Sequence, residues 1–467
     1  MTYARARLWL GICAVGTLVL LSAAGLASGA PGLLFVSAEA ASEFESLRHD
    51  GLSMAMILGA YAVLMFPFDF LGGYILPRAH DRPHPDVQMF LGHWSRGVLA
   101  QSAALMAMSL TLLQVGRHGG WLSALGFATV AMLGLVVGQA GMTRLTGGQK
   151  PVEGLESEKA RVAEVLGRWG LPMPDAVSVV SAFDPGFTGG VTGLPGRETV
   201  VIPEPWIRNL PPEAVAVEVA RRVGAVRSGS RMRGILVALV FNAVGLALSM
   251  HLAVLVPGVR PPALSSPPAR TAVRNQAWPD ADAASQTVDG LLSTSLWFTL
   301  WSFVGLLTLP TVSRGAVFAA DLRAARAGVP AGLLAKVIRD LDRLQDDEPV
   351  RSAGVESIFH PIPGAARRIE ALRRAGFDTE IAPSSSGVTP AGGTRFQVAM
   401  AKPDETTSDI DFAAATAVNA FDTRPSPGAW HAARMALYLS WAGPGWLSRA
   451  VHCNCGRPQL WVMLPGD

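Results

Sequence analysis

The sequence is poor in charge. Asp, Glu, Lys and Arg make up 16% of its 467 residues, against about 25% in an average soluble domain. Half of its residues are hydrophobic, which points to the lipid bilayer as its solvent. Lysine is nearly missing: of 39 basic residues only Lys150, Lys159, Lys336 and Lys402 are lysines. The arginine excess reads as a coding bias with no bearing on partners. The net charge of +3 is too small to argue for nucleic acid. Three cysteines cannot build a disulfide framework. Cys13 lies in an apolar run, so a reducing compartment is expected for the soluble part. The sequence has no phosphate-binding Gly-rich loop, no nucleophile elbow and no internal repeat.

What is present is a set of long apolar runs. A spanning helix needs about 20 apolar residues, and six stretches qualify: 8–30, 51–77, 97–116, 121–142, 235–259 and 291–313. Basic residues fall at alternate ends of these runs. Arg5 and Arg7, then Arg78, Arg82 and Arg96, then Arg144 and Lys150 lie on one side. So do the cluster Arg221, Arg222, Arg227, Arg231 and Arg233 and the later Arg314, Arg323 and Arg326. Glu39, Glu43, Glu45 and Asp50 lie on the other. The excess of arginine predicts that both termini and both hydrophilic blocks are cytoplasmic, in a plasma or bacterial inner membrane. A signal peptide is the other reading of the first run. Asp69, inside the second, is expected to face other helices or an interface near the Gly72-Gly73 bend, because a lone carboxylate is costly in hydrocarbon.

The fold class expected is mainly α and integral to the membrane: about six transmembrane helices plus a cytoplasmic α+β domain split by a transmembrane hairpin. Residues 1–142 form a four-span membrane domain. Residues 143–233 and 314–381 form the two halves of the cytoplasmic domain, and 234–313 the hairpin, whose external loop (260–290) is rich in Pro, Ala and Ser. Residues 382–467 are a linker and a tail with a helix at 430–441 and a strand at 459–464. Leu333, Val337, Leu341 and Leu344 predict an amphipathic helix after Pro330, and Ile369 and Leu372 mark another.

Several short motifs recur in a fixed order. Glu198, Thr199, Val200, Val201 and Ile202 read as a strand. Leu210-Pro211-Pro212-Glu213 opens a helix, with Pro in its first turn and an acid near its positive end. Val215, Val219 and Val223 give that helix an apolar stripe. It continues through Ala220-Arg221-Arg222-Val223-Gly224-Ala225 and is followed by a membrane run. Then come Ser313-Arg314, Ala320-Asp321, His360-Pro361 and Arg368-Ile369.

This series resembles the HtpX-like and CAAX-prenyl-endopeptidase membrane zinc metallopeptidases, gluzincins whose catalytic domain is split by membrane helices. The resemblance covers 162–374. Gly224, Asp321, His360, Pro361 and Arg368 match the family pattern. The loop Phe187-Thr188-Gly189-Gly190 matches it only loosely. In such peptidases an HExxH helix supplies two His ligands and a Glu that polarises the zinc-bound water, and a later helix supplies a third ligand. Here the first His position is Arg221, the Glu position Arg222, the second His position Ala225 and the third-ligand position Val317. Arginine stays protonated and cannot act as a base. A guanidinium about 4 Å from a dication would oppose it by roughly 8 kcal/mol at an effective dielectric of about 20. The expectation is therefore a degenerate zinc motif with no catalytic or metal-binding residue and no cofactor. Arg221 and Arg222 are expected to turn toward solvent or phosphate, and Glu213 and Glu218 to lie on the surface.

The function expected is that of a catalytically inactive pseudopeptidase with a peptide- or partner-binding, regulatory role. The strand Glu198 to Ile202 is expected to be a sheet edge that binds extended peptide through its backbone. Its partners are the bilayer and peptides or another membrane protein, with no nucleic acid. The alternative is an active membrane metalloendopeptidase with zinc at an unaligned site. His80 and His84 are one candidate pair, with Asp86 and His93 nearby, though Pro83 between them argues against the helix that their spacing needs. His452, Cys453 and Cys455 are another candidate set. A third reading, a transport or structural unit, rests on Asp69 alone.

Overall fold

The computed structural model describes residues 3–34, 43–81, 84–145, 154–180, 189–192, 198–227, 229–256, 284–344 and 362–380. His360, Pro361, the centre of the expected external loop, the C-terminal helix and strand, and the His452 cluster lie outside them.

The chain is mostly helical. It begins with α1 (Tyr3–Ser28), the short α2 (Ala30–Leu34) and α3 (Glu43–Phe70). A π-helical turn at Leu71–Ile75 leads into α4 (Leu76–Ala79), and α5 (Val87–Leu145) follows. The Gly72-Gly73 pair sits in the π turn, and a Cβ on Gly73 would meet the Phe90 ring at 2.6 Å. Glycine therefore lets α3 and α5 approach closely there.

Among the described residues, five helices are long and apolar enough to cross a membrane. The third and fourth of the six runs read from the sequence both fall within α5, which is two helices joined by a non-helical kink at Gly120 (φ 70, ψ −173). Glycine tolerates that backbone because it has no Cβ. Met106 and Phe127 pack against one buried cluster around Leu113, Ala124 and Met250, whereas a straight helix would set them about 30 Å apart. The element thus bends at Gly120, and its length has room for two crossings.

Two acids in this region are paired. Asp69 Oδ2 accepts a 2.9 Å hydrogen bond from Trp94 Nε1, joining α3 to α5. At the other end of α3, Asp50 Oδ2 lies 2.7 Å from Arg117 Nη2. Arg117 Nε also donates to the carbonyl of Gln286 at 2.9 Å.

The remaining elements are α6 (Glu156–Arg168), β1 (Val177–Val180), β2 (Gly190–Thr192), β3 (Thr199–Pro203), α7 (Glu204–Asn209) and α8 (Pro212–Arg227). Two apolar helices then pair, α9 (Ser230–Ala253) and α10 (Val288–Thr308). Trp301 lies across Gly245, where any Cβ would collide with its ring, and its Nε1 donates to the Phe241 carbonyl at 3.0 Å. Then come α11 (Pro310–Arg326), α12 (Ala331–Leu344) and α13 (Ala365–Arg374).

The sheet has the order β1-β3-β2. β1 runs parallel to β3 with Val177 opposite Val200. β2 runs antiparallel to it with Val191 opposite Val200. The expected edge strand is therefore the central one. All of Thr199 to Ile202 are buried; Val200 and Val201 have a strand partner on each side, Thr199 pairs with β2 and Ile202 with β1, and Glu198 directly precedes them, so the middle of this stretch has no free edge for a peptide. Its fully apolar middle is what a strand buried on both faces requires.

One core then joins distant parts of the chain. Val165 and Leu166 of α6, Ile202 of β3, Val215 and Val219 of α8, Leu334 and Ile338 of α12, and Leu372 of α13 are all buried in it. Because α8 stands at its centre, Ala214 to Ala220 are buried on every face rather than along one stripe.

Candidate functional site

The motif positions meet where α8, α11 and α13 converge. Residues 218, 221, 222 and 225 lie within two turns of α8, 317 and 321 are one turn apart on α11, and 368 is on the inner face of α13. Ala225 and Val317 are buried and carry no donor atom.

The charged residues form a single network. Arg221 Nε donates to Asp321 Oδ1 at 2.7 Å, and its Nη1 donates to Glu218 Oε1 at 2.6 Å. Arg368 grips Asp321 at two points, Nε to Oδ2 at 2.7 Å and Nη2 to Oδ1 at 2.9 Å. Arg222 Nη2 lies 3.6 Å from Glu218 Oε2, with its guanidinium 5.9 Å from the centre of the Trp206 ring. Three guanidiniums thus share two carboxylates. Only Arg221 reaches an appreciable side-chain exposure, 15%, while Asp321 has 2%.

Two expectations are corrected here. Arg221 and Arg222 do not turn to solvent or phosphate but fold inward onto buried acids. Glu218 is not a surface residue, since it is 4% exposed and is the acid that holds both. Burying a guanidinium costs several kcal/mol unless it is paired, and the pairing on offer lies inward. Glu213 differs: its side chain is 43% exposed, 3.6 Å from Arg168. Sequence reading missed Glu218 as a functional position, yet a signal was there. It is the one acid in the apolar run 214–220, and it precedes Arg221 by three residues, the spacing at which helix side chains meet.

The network is ionised at neutral pH. Burial pushes the Glu218 carboxyl up, and Arg221, Arg222 and Arg368 outweigh it, holding the group below the usual carboxylate range. Burial opposes ionisation of Asp321 too, and Arg221 and Arg368 overcome it in the same way. For Arg221 burial acts downward, but Asp321 and Glu218 raise its affinity for the proton. Neither carboxylate is free to serve as a base, since each is engaged by arginine.

The four positions assigned to zinc chemistry by resemblance do not fit a zinc ion. They present two guanidiniums, a methyl group and an isopropyl group. Asp321, one turn beyond Val317, is taken up by Arg221 and Arg368. Gly224 lies where α11 comes close, 3.8 Å from a hypothetical Cβ to that of Arg323.

Among the described residues, no three His, Cys, Asp or Glu side chains gather as a metal site would need. α4 ends before His80, and Asp81 has a φ of 52°, so His80 and His84 do not share a helical face. The Nδ1 of His80 donates to the Leu76 carbonyl and that of His84 to the Pro85 carbonyl, each at 3.0 Å.

No protein-family model matches the chain, and no curated protein matches it. Among solved structures it is similar to the crystal structure of S. mikatae Ste24p. The TM-score is 0.54 at 15% sequence identity, over 72% of this chain and 77% of that one. Ste24p is a CAAX prenyl protease, a membrane zinc metallopeptidase. A likeness at this identity is one of fold: the chain is a mostly helical integral membrane protein with a Ste24p-like fold.

Proposed function

We propose that this protein is a catalytically inactive member of the HtpX-like and CAAX-prenyl-endopeptidase lineage, with a gluzincin-like domain on the cytoplasmic face of a plasma or inner membrane. In this reading the domain binds peptides or another membrane protein and regulates rather than cuts. The observation that carries it is the Arg221 guanidinium, clamped between Glu218 and Asp321 at the position of the first zinc ligand. The ordered motifs from Leu210 to Arg368 and the likeness in fold to Ste24p support the lineage. The run of arginines at alternate ends of the spans supports the orientation.

Peptide recognition by strand addition needs only backbone hydrogen bonds and so does not need a metal. The place for it is β2. Among the described residues β2 is paired on one side only, with β3.

The test is metal content by mass spectrometry of the detergent-purified protein, beside the fourfold variant Arg221→His/Arg222→Glu/Ala225→His/Val317→Glu. An empty wild type with a zinc-loaded variant is the expected result. Stoichiometric zinc in the wild type would overturn the proposal in favour of an active endopeptidase with an unaligned site.

A further inference from the structure

Asp321 is already satisfied by the two-point grip of Arg368, yet Arg221 also donates to it. A second guanidinium on one buried carboxylate leaves an excess positive charge, which a low-dielectric interior does not tolerate. Glu218 offsets that charge, taking Arg221 Nη1 on one oxygen at 2.6 Å, while its other oxygen lies 3.6 Å from a third guanidinium, that of Arg222. Glu218 stands in a run of Ala and Val that is buried from 214 to 220, where an unpaired acid would be costly. Of the two arginine contacts that Glu218 makes, the one to Arg221 is the shorter, 2.6 Å against 3.6 Å to Arg222.

We propose that Glu218 and Arg221 are a matched pair that, with Asp321 and Arg368, forms a metal-independent cross-link between α8 and the helices α11 and α13. The elements joined lie on opposite sides of the α9–α10 hairpin in sequence. The cross-link thus ties the chain before the membrane excursion to the chain after it. This inference does not depend on the binding role proposed above: metal content and peptide capture test that role, whereas coupling between two side chains tests this one.

The experiment is a double-mutant cycle on the full-length protein in detergent, with EDTA present throughout. Thermal midpoints are measured for wild type, Glu218→Gln, Arg221→Met and the double variant. Glu218→Gln leaves Arg221 only the Asp321 carboxylate, which Arg368 already holds, and Arg221→Met leaves Glu218 only the longer 3.6 Å contact to Arg222, so each is expected to lower the midpoint by several degrees. The double change removes both charges and is expected to lose clearly less than the sum of the singles. If the singles do not fold, a double variant that folds shows the same coupling. Additive losses, a single variant as stable as wild type, or a double variant that fails along with the singles would overturn the proposal. So would coupling seen only when EDTA is left out.

Discussion

Arg368 and Asp321 form a two-point buried ion pair, with Nε to Oδ2 at 2.7 Å and Nη2 to Oδ1 at 2.9 Å. The carboxylate lies one turn beyond Val317 on α11, and the guanidinium reaches it from the inner face of α13. Both residues belong to the motif series that suggested a peptidase. They pair with each other although the neighbouring positions 221, 222, 225 and 317 offer no ligand for a metal ion.

Asp321→Asn is expected to be among the most damaging single changes. It removes the charge on which Arg221 and Arg368 both depend and leaves two buried guanidiniums around a neutral amide. Breaking a buried pair costs about 3–5 kcal/mol. Denaturant unfolding in detergent, followed by tryptophan fluorescence, measures the loss. A variant within 1 kcal/mol of wild type, roughly the size of a surface pair, would show that the network contributes little.

Arg368→Lys should fall between that variant and wild type. Lysine keeps the charge but cannot reproduce the fork that meets both oxygens, and losing one charged hydrogen bond costs about 1.5–3 kcal/mol. The same unfolding assay ranks the two. Equal damage from Arg368→Lys and Asp321→Asn would mean that geometry, not charge, sets the loss.

The pH dependence follows from the two acids. Both carboxyls are held below their ordinary values of 4.5 for Glu218 and 3.8 for Asp321. A group depressed in the folded state contributes stability that is complete above its unfolded value and is lost as pH falls through its folded value. The network should therefore be insensitive to pH from about 6 to 9 and begin to fail below about pH 4. Thermal midpoints of wild type and Asp321→Asn across this range are the measurement. The gap between them should narrow in acid, and a gap of constant width down to pH 3 would contradict the assignment.

In the membrane region, Trp94→Phe should cost about 1–3 kcal/mol by stranding Asp69 without its donor. Asp69→Asn, which keeps an acceptor for Trp94 Nε1, should cost less. The order of their thermal midpoints distinguishes an interhelical tie from a proton or ion path. An Asp69→Asn variant that is fully stable but alters proton or cation flux in liposomes would restore the transport reading.

Gly245→Ala should separate α9 from α10. The added methyl collides with the Trp301 ring, and overpacking of this kind costs about 1–3 kcal/mol. Trp301→Leu in the same background should recover part of the loss, as read by the thermal midpoint.

What the sequence determined by itself is what depends on neighbours along the chain. Long apolar runs mark membrane helices because a run of that length has no other place to bury itself. Pro211-Pro212-Glu213 opens α8, and the spacing of Leu333, Val337 and Leu341 sets α12 against the core, where Val337 and Leu341 are buried and Leu333 packs alongside, because helix ends and faces are set within a few residues. The mismatch of Arg221, Arg222, Ala225 and Val317 with a zinc motif was legible for the same reason, since such a motif is a spacing. The tertiary structure decided everything that turns on partners far away. β3 became the central strand because β1 and β2 both pair with it, and no local pattern distinguishes an apolar edge from an apolar middle. Above all, Arg221 and Arg222 turned inward. An arginine beside the membrane favours solvent unless a buried acid awaits it. The acids are Glu218, hidden by the packing of α8, and Asp321, brought from 100 residues away. Electrostatic pairing acts through space, and only the fold establishes which charges share it.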